Sequence, residues 1–400
     1  MANDTTPQAV TVARPAKPPI WNDPVYRSLF FQAVVLALFF YLAWFLVSNT
    51  QHNLEKQGIA SGFGFLNTTA GFSIGEHLIS YTEEDTYGRV FWVGLINTAY
   101  VSGIGIVLAT ILGFSIGIAR LSPNWLVARL ATVYIETLRN IPLLLQIFFW
   151  YFAMLRPLPS PRHSVTFFDS FFLNNRGLAY PKAIPESAFD VVIGLFIFGI
   201  IAAIGISRWA KKRQDATGQQ FPVFWSALGL ILAVPVIAYF VLGSPLGFEY
   251  PVLKGFNYTG GLTMSPEFVA LLLALTMYTA AFIAEIVRSG INGVSYGQTE
   301  AALSVGLNRG MVLRLVIIPQ AMRIIMPPLT SQYLNLTKNS SLAAAIAYPD
   351  LVLVFAGTTL MQTGQAVEII IMVMGCYLFF SLFISAIMNW YNRRIMLVER

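Results

Sequence analysis

Apolar and polar residues alternate along this 400-residue chain in long blocks, giving eight apolar runs separated by polar segments. The runs extend from Leu29 to Ser48, Val90 to Ile118, Val133 to Leu155, Val191 to Ile206, Val223 to Leu242, Phe268 to Val287, Ile324 to Ala347 and Glu368 to Asn389. Roughly 20 helical residues, each rising about 1.5 Å, cross a hydrocarbon core of roughly 30 Å, so each run is near the length of one membrane span. Inside lipid every backbone N–H and C=O must find a partner within the fold, which a helix supplies along its own length. The pattern predicts an all-α fold, a polytopic transmembrane helical bundle of about eight spans.

The first run follows a polar tail over residues 1–28, whose Met1 to Pro19 stretch is rich in Thr, Ala and Pro and too poor in apolar surface to order alone. No small-residue cleavage site follows that run, so it reads as a retained anchor and not as a signal peptide.

Composition agrees. Hydrophobic residues make up 56% and charged residues 11%, with a mean hydropathy of +0.65; a water-soluble domain carries about a quarter charged residues. The net charge of +6 does not point to nucleic acid, because the basic residues sit in short loops beside the spans. With the N-terminus inside, seventeen of the 25 Lys and Arg residues fall in inside segments and seven outside, leaving Lys338 within a span. Short inside loops are the basic ones, so both termini are expected in the cytoplasm. Four of the seven outside charges lie between the third and fourth spans, a long loop on which that rule has less force. The single cysteine, Cys376, lies in an apolar run with no partner for a disulfide or a metal.

Chemistry-bearing motifs are sparse. The dipeptide Gly-Lys never occurs, so the chain has no phosphate loop for ATP. His52, His77 and His163 fall in outside loops without metal-ligand spacing. Neither a metal site nor a cofactor is expected, and the chain reads as a non-catalytic subunit. Lys338, beside Asn335 and Asn339, falls mid-span, where a charge costs about 2.5–3.5 kcal/mol on insertion scales. It either faces a translocation pathway, where it would meet a carboxylate, or pairs structurally inside the bundle. Glu136, Arg139 and Glu285 lie near the inner ends of their spans, where snorkelling lowers the cost and structural pairing is expected. Gly113 and Gly117 form a small-xxx-small pair suited to close helix contact.

The longest inside segment reads Ser295-Tyr-Gly-Gln-Thr-Glu-Ala-Ala-Leu-Ser-Val-Gly306. Ser295 followed by Gln298 has the spacing of a capping box, and Gly306 stands where a short helix would end. A second short helix is expected from Asn308 to Ile318, with Pro319 forcing a kink after it. Ala301 and Ala302 would let a partner approach closely, and Glu300 could pair with a donor on that partner.

These residues resemble the loop that permeases of ATP-binding-cassette importers present to their ATPase: Glu300, Ala301, Ala302, then Gly306, then Val316, Ile318 and Pro319 at matching distances. Further stretches are similar to the polar amino-acid branch of that family. They include Tyr278 to Gly290, the Tyr134 to Gln146 segment with Arg139, Asn140 and Pro142, Pro319-Gln320-Ala321, and Leu336-Thr-Lys338-Asn339-Ser340-Ser341-Leu342. The resemblance implies a five-span core over residues 90–155 and 266–400, with a coupling loop over 288–323. It also implies three extra spans, one within residues 29–89 and two within an insertion at 156–265. Such a long variant resembles the larger permease subunits of general L-amino-acid and glutamate/glutamine importers, which work as heterodimers.

Several expectations follow from that resemblance. The chain would sit in a bacterial inner membrane and move L-amino acids by alternating access. Its partners would be cytoplasmic ATP-binding-cassette ATPases, a related second permease, a periplasmic amino-acid-binding protein and membrane lipid. Pathway candidates are Lys338, Asn335, Asn339, Glu136, Arg139, Gln146 and Glu285. A proton- or sodium-coupled secondary transporter would instead place acidic residues deep in several spans, and a membrane enzyme would need a reactive cluster there. The deep charge is a lone Lys.

Overall fold

The computed structural model describes Pro19, residues 23–56, Gly58 and residues 61–395. The expected polar tail falls largely outside these residues, but helix α1 (Pro24–Lys56) begins inside the stretch assigned to it, with the Asp23 carboxylate accepting from the Val25 N–H at 2.9 Å. Helix α2 (Tyr87–Arg120) is followed by α3 (Trp125–Asn140), capped by the Asn124 side chain. Next comes α4 (Leu143–Phe148), which continues as a wider π-helical stretch over Phe149–Leu155.

The predicted third span, Val133 to Leu155, is not one straight helix: α3 and the segment Leu143–Leu155 meet at 106°. Proline 142 explains the break. A residue before proline is pushed out of the helical region, and Ile141 is extended at φ −96, ψ 127. Counting this bent pair as one span gives eight candidate spans among the described residues; seven helices qualify individually.

The insertion carries α5 (Phe189–Thr217), α6 (Val223–Leu228) and α7 (Val234–Val241), the last two joined by a π-helical turn. These pack on one another as a hairpin. Eight short strands flank them, which hydropathy did not signal. Before the hairpin lie β1 (Val165–Phe167), β2 (Phe171–Asn174), β3 (Gly177–Tyr180) and β4 (Lys182–Pro185). After it lie β5 (Leu246–Glu249), β6 (Val252–Lys254), β7 (Asn257–Thr259) and β8 (Leu262–Met264). Antiparallel pairing of β4 with β5 and of β3 with β8 stitches the entry of the insertion to its exit. The two ends of a roughly hundred-residue excursion are thus held together where the core resumes.

The core resumes with α8 (Pro266–Asn292), which lies against α2 along its length. In lipid, helix association depends on close packing, and small residues permit it. A Cβ at Gly113 would stand 2.6 Å from the Ile283 Cβ, and one at Gly117 would stand 2.7 Å from the Ala284 carbonyl oxygen, so only glycine fits at either position. Leu271, Leu275 and Ile283 of α8 form the main core with Ile147 of α4.

After α9 (Tyr296–Ser304), α10 (Arg309–Val312) runs through a π-helical turn into α11 (Ile318–Asn339). No separate second loop helix forms. Pro319 lies just past the π-helical turn of this helix, whose wider register accommodates a residue that cannot donate. The seventh span therefore starts well before Ile324, as one continuous helix from Arg309. A short π-helical stretch (Val352–Thr359) with α12 (Leu360–Thr363) follows, and its Phe355 packs on Phe65, Tyr87 and Val90. Helix α13 (Ala366–Ile395) closes the chain.

Candidate functional site

The segment expected to couple to a partner stands at the C-terminal end of α8. Asn292 ends that helix, Ser295 precedes α9, and Gly306 follows it at φ +84, the left-handed conformation that glycine adopts without strain. Asn308 caps α10 by accepting from the Met311 N–H at 2.9 Å. The capping box does not form: the Ser295 hydroxyl makes no cap bond, and the Gln298 side chain accepts instead from Gln320 at 3.3 Å.

The two alanines have opposite fates. Ala301 is exposed, whereas Ala302 is only 6% exposed and packs with Val312 and Ile317, flanked by Ile291, Val294 and Leu307. Ala302 therefore does not receive a partner. It closes a small core that clamps α9 onto the end of α8 and onto the helix entering α11. Besides Ala301 and Glu300, α9 and its C-terminal end leave Tyr296, Leu303 and Val305 exposed, by 72%, 43% and 76%. These three residues were not singled out from the sequence. Pro319 is exposed at the base of the same unit.

Beside this unit lies a charged cluster. The Arg120 guanidinium at the end of α2 donates to Glu285 of α8, Arg288 donates to the same carboxylate at 2.6 Å, and Arg120 reaches Glu136 of α3 at 3.5 Å. One carboxylate held by two guanidiniums ties the ends of α2 and α8 together, with α3 attached more loosely through the half-exposed Glu136. Glu285 and Glu136 thus take part in ion pairs among helices, as snorkelling residues were expected to do. Arg120 was overlooked, although its place as the basic residue ending a long apolar helix is a legible signal. Among the described residues Arg139 makes no ion pair; its guanidinium lies 5.1 Å from the centroid of the Phe282 ring.

Gln146 turns inward at the break of the third span. Its Nε2 donates to the Leu138 and Ile141 carbonyls, both at 2.9 Å. A helix that stops leaves its last carbonyls without partners, and Gln146 supplies them. The residue is buried, and these two bonds hold the bend.

Lys338 falls in the last turn of α11, not at its middle, and is exposed on the single chain, as is Asn335; Asn339 is half-buried. Lys338 lines a groove with Ser341, Val352, Tyr377 and Ser381. Among the described residues it makes no ion pair.

The chain matches a protein family described as "Binding-protein-dependent transport system inner membrane component" over residues 196–397. It is 53% identical to the general L-amino acid transport system permease protein AapQ of Rhizobium johnstonii, over 94% of each chain. It is also 53% identical to the putative amino-acid ABC transporter permease protein YhdX of Escherichia coli, covering 94% of this chain and 96% of that one. Identity is 45% to the glutamate/glutamine/aspartate/asparagine transport system permease protein BztB of Rhodobacter capsulatus, over 94% of this chain and 96% of the relative.

Proposed function

Since the chain belongs to the family of inner membrane components of binding-protein-dependent transport systems, we propose that it is the permease subunit of an ATP-binding-cassette importer of L-amino acids. In this reading the 288–323 segment receives the stroke of separate cytoplasmic ATPase subunits. A periplasmic amino-acid-binding protein delivers the substrate from the other side. The chain pairs with a second, related permease in a bacterial inner membrane, with both termini in the cytoplasm. Lys338, with Asn335 and Asn339, faces the pathway between the two permeases, where an ammonium attracts a substrate carboxylate.

The observation that carries the coupling role is the clamped α9. Its inner face is locked by Ala302, Val312 and Ile317, while its outer face is left uncovered at Tyr296, Glu300, Ala301, Leu303 and Val305. A helix held in this way passes a push directly to α8 and α11. The test is Ala301→Trp in the assembled importer. Ala301 is exposed, so the permease should insert and remain folded, while the bulky ring blocks close approach. The expected result is loss of ATPase co-purification or of ATP-driven uptake in vesicles. Full co-purification with full uptake would show that α9 is not the coupling surface.

A further inference from the structure

At the opposite end of α8, the chain encloses a cleft of about 520 Å³ that the coupling role leaves unused. Its lining joins segments far apart in sequence: Glu76 from the stretch before α2, Ser265 and Glu267 from the start of α8, and Arg156, Asn175 and Arg176 from the insertion. Local structure fixes these groups in place. Gly177, at φ +117, lies so close to the Met264 carbonyl that a Cβ there would collide with it, and the β3–β8 pairing pins the Asn175–Arg176 turn against the start of α8. Asn97 holds the Glu76 backbone by donating to its carbonyl and to that of Pro349, both at 2.9 Å.

The charges in this cleft do not neutralise one another. The Glu76 carboxylate accepts from the Ser265 hydroxyl, and Glu267 accepts from the Tyr151 hydroxyl at 2.6 Å. Neither carboxylate enters an ion pair among the described residues. The Arg156 guanidinium lies 5.4 Å from the centroid of the Tyr151 ring and, like that of Arg176, pairs with no acid among the described residues. Asn175 Oδ1 is buried in the same lining with no hydrogen-bond partner. Burial, reinforced by the charge of Glu267, holds the Glu76 carboxyl above the ordinary carboxylate range, against the Ser265 hydrogen bond. A cation arriving beside it would relieve that shift.

From two guanidiniums, two carboxylates and an orphan acceptor around one cleft, we infer that this is a binding site for the α-ammonium and α-carboxylate of a zwitterionic amino acid. Arg156 and Arg176 take the carboxylate; Glu267 and Glu76 take the ammonium, with Asn175 Oδ1 accepting one of its hydrogens. The volume lies within the usual range for small-molecule sites, about 300–1,000 Å³. Because the site reads only backbone charges, it does not discriminate among side chains. Docking of the binding protein on this face, where Arg156 and Arg176 are exposed, is the competing use, and measuring binding without that protein separates the two. The inference rests on the amino-acid importer reading above.

The experiment uses the complete importer in nanodiscs, without binding protein and in a Lys338→Met background, so that binding at that lysine is not counted. Radiolabelled L-glutamine is the probe. It should bind, and L-leucine and L-lysine should compete equally well, while the decarboxylated amine and the deaminated acid of glutamine should not. The pair Arg156→Gln with Arg176→Gln should raise the half-saturating concentration about tenfold, the effect of losing charge-assisted hydrogen bonds. Glu267→Gln, which keeps an acceptor for Tyr151, should do the same. Unchanged affinity in these variants, or an effect confined to the affinity of the binding protein, would overturn the inference. Uptake by the wild-type importer supplied with binding protein and ATP is read separately. If it carries amino acids while the variants bind normally, only the cleft assignment fails; if it carries none, the importer reading falls and the inference with it.

Discussion

Lys338 concentrates what a single residue can and cannot disclose. A lysine amid apolar residues stood out in the sequence because a charge at a span centre costs about 2.5–3.5 kcal/mol. The structure relocates it to the last turn of α11, on an open groove and without an ion pair among the described residues, which favours a pathway role over pairing inside the same chain. Lys338→Met keeps the length and removes the charge. The expected result is a drop in uptake of about tenfold or more, with thermal stability and ATPase assembly at wild-type levels. Unchanged uptake would remove Lys338 from the pathway, and a lost fold would assign it to packing. Other residues were legible only in part. Glu285 was visible as a pairing residue because it lies near the end of its span, and Arg288 on the same helix is one of its partners. Its other tie, to Arg120, joins residues 165 apart, and no local spacing announces that. Ala301 and Ala302 looked equivalent as a small pair. Their opposite burial depends on which face of α9 meets Val312 and Ile317, a tertiary fact.

At the level of elements, the short helix α9 and its glycine stop were readable from local chemistry, because φ > 0 just past a helix end is a backbone demand that glycine meets most easily. Gly306 gives the sharpest test of that logic. A Cβ there would meet nothing within 4 Å, so a substitution acts through φ +84 alone and not through a clash. Gly306→Val should then be strained by roughly 1–2 kcal/mol and tilt α10 away from α9. Gly306→Asn, a residue that tolerates the left-handed region, should retain most of the coupling. Uptake and ATPase co-purification distinguish the two, and equal behaviour of both variants would mean that the conformation at 306 is not what matters. The broken third span was harder to foresee. Apolarity runs unbroken through Pro142, and hydropathy averages over the residue that breaks the helix. The consequence of that proline is the extended Ile141 and the need for Gln146 to pair two carbonyls. The strands of the insertion were equally hidden, since three- and four-residue strands fall below any apolar window, and the partners of β3 and β4 lie at the far side of the insertion, in β8 and β5.

Across the whole molecule, span count was the most legible feature, because lipid makes the same demand on every segment at once. The contacts now give each helix a direction. Glu76 meets Ser265 at the start of α8, and Gly62 donates to Glu368 near the start of α13, so these starts share the end that carries the strands. Arg120 meets Glu285, so α2 runs alongside α8 in the same direction. Helix α5 leaves the strand end just after β4, and its 29 residues, about 40 Å, are long enough to cross to the other side. The basic groups Arg120, Arg208, Lys211, Lys212, Arg213, Arg288, Arg393 and Arg394 therefore gather at the α9 end of the bundle. Positive charge beside spans is retained in the cytoplasm, so the α9 end should face inward and the strand end outward. Thr68, exposed beside the start of α2, and Thr217, exposed at the end of α5, report the two ends. With Cys376, the single native cysteine, replaced by serine, Thr68→Cys should react with a membrane-impermeant maleimide added to intact spheroplasts. Thr217→Cys should react only after the membrane is opened. Labelling of both from one side would break the eight-span arrangement. Labelling in the reverse order would place α9 outside, beyond the reach of any cytoplasmic ATPase, and would remove the basis for coupling through it.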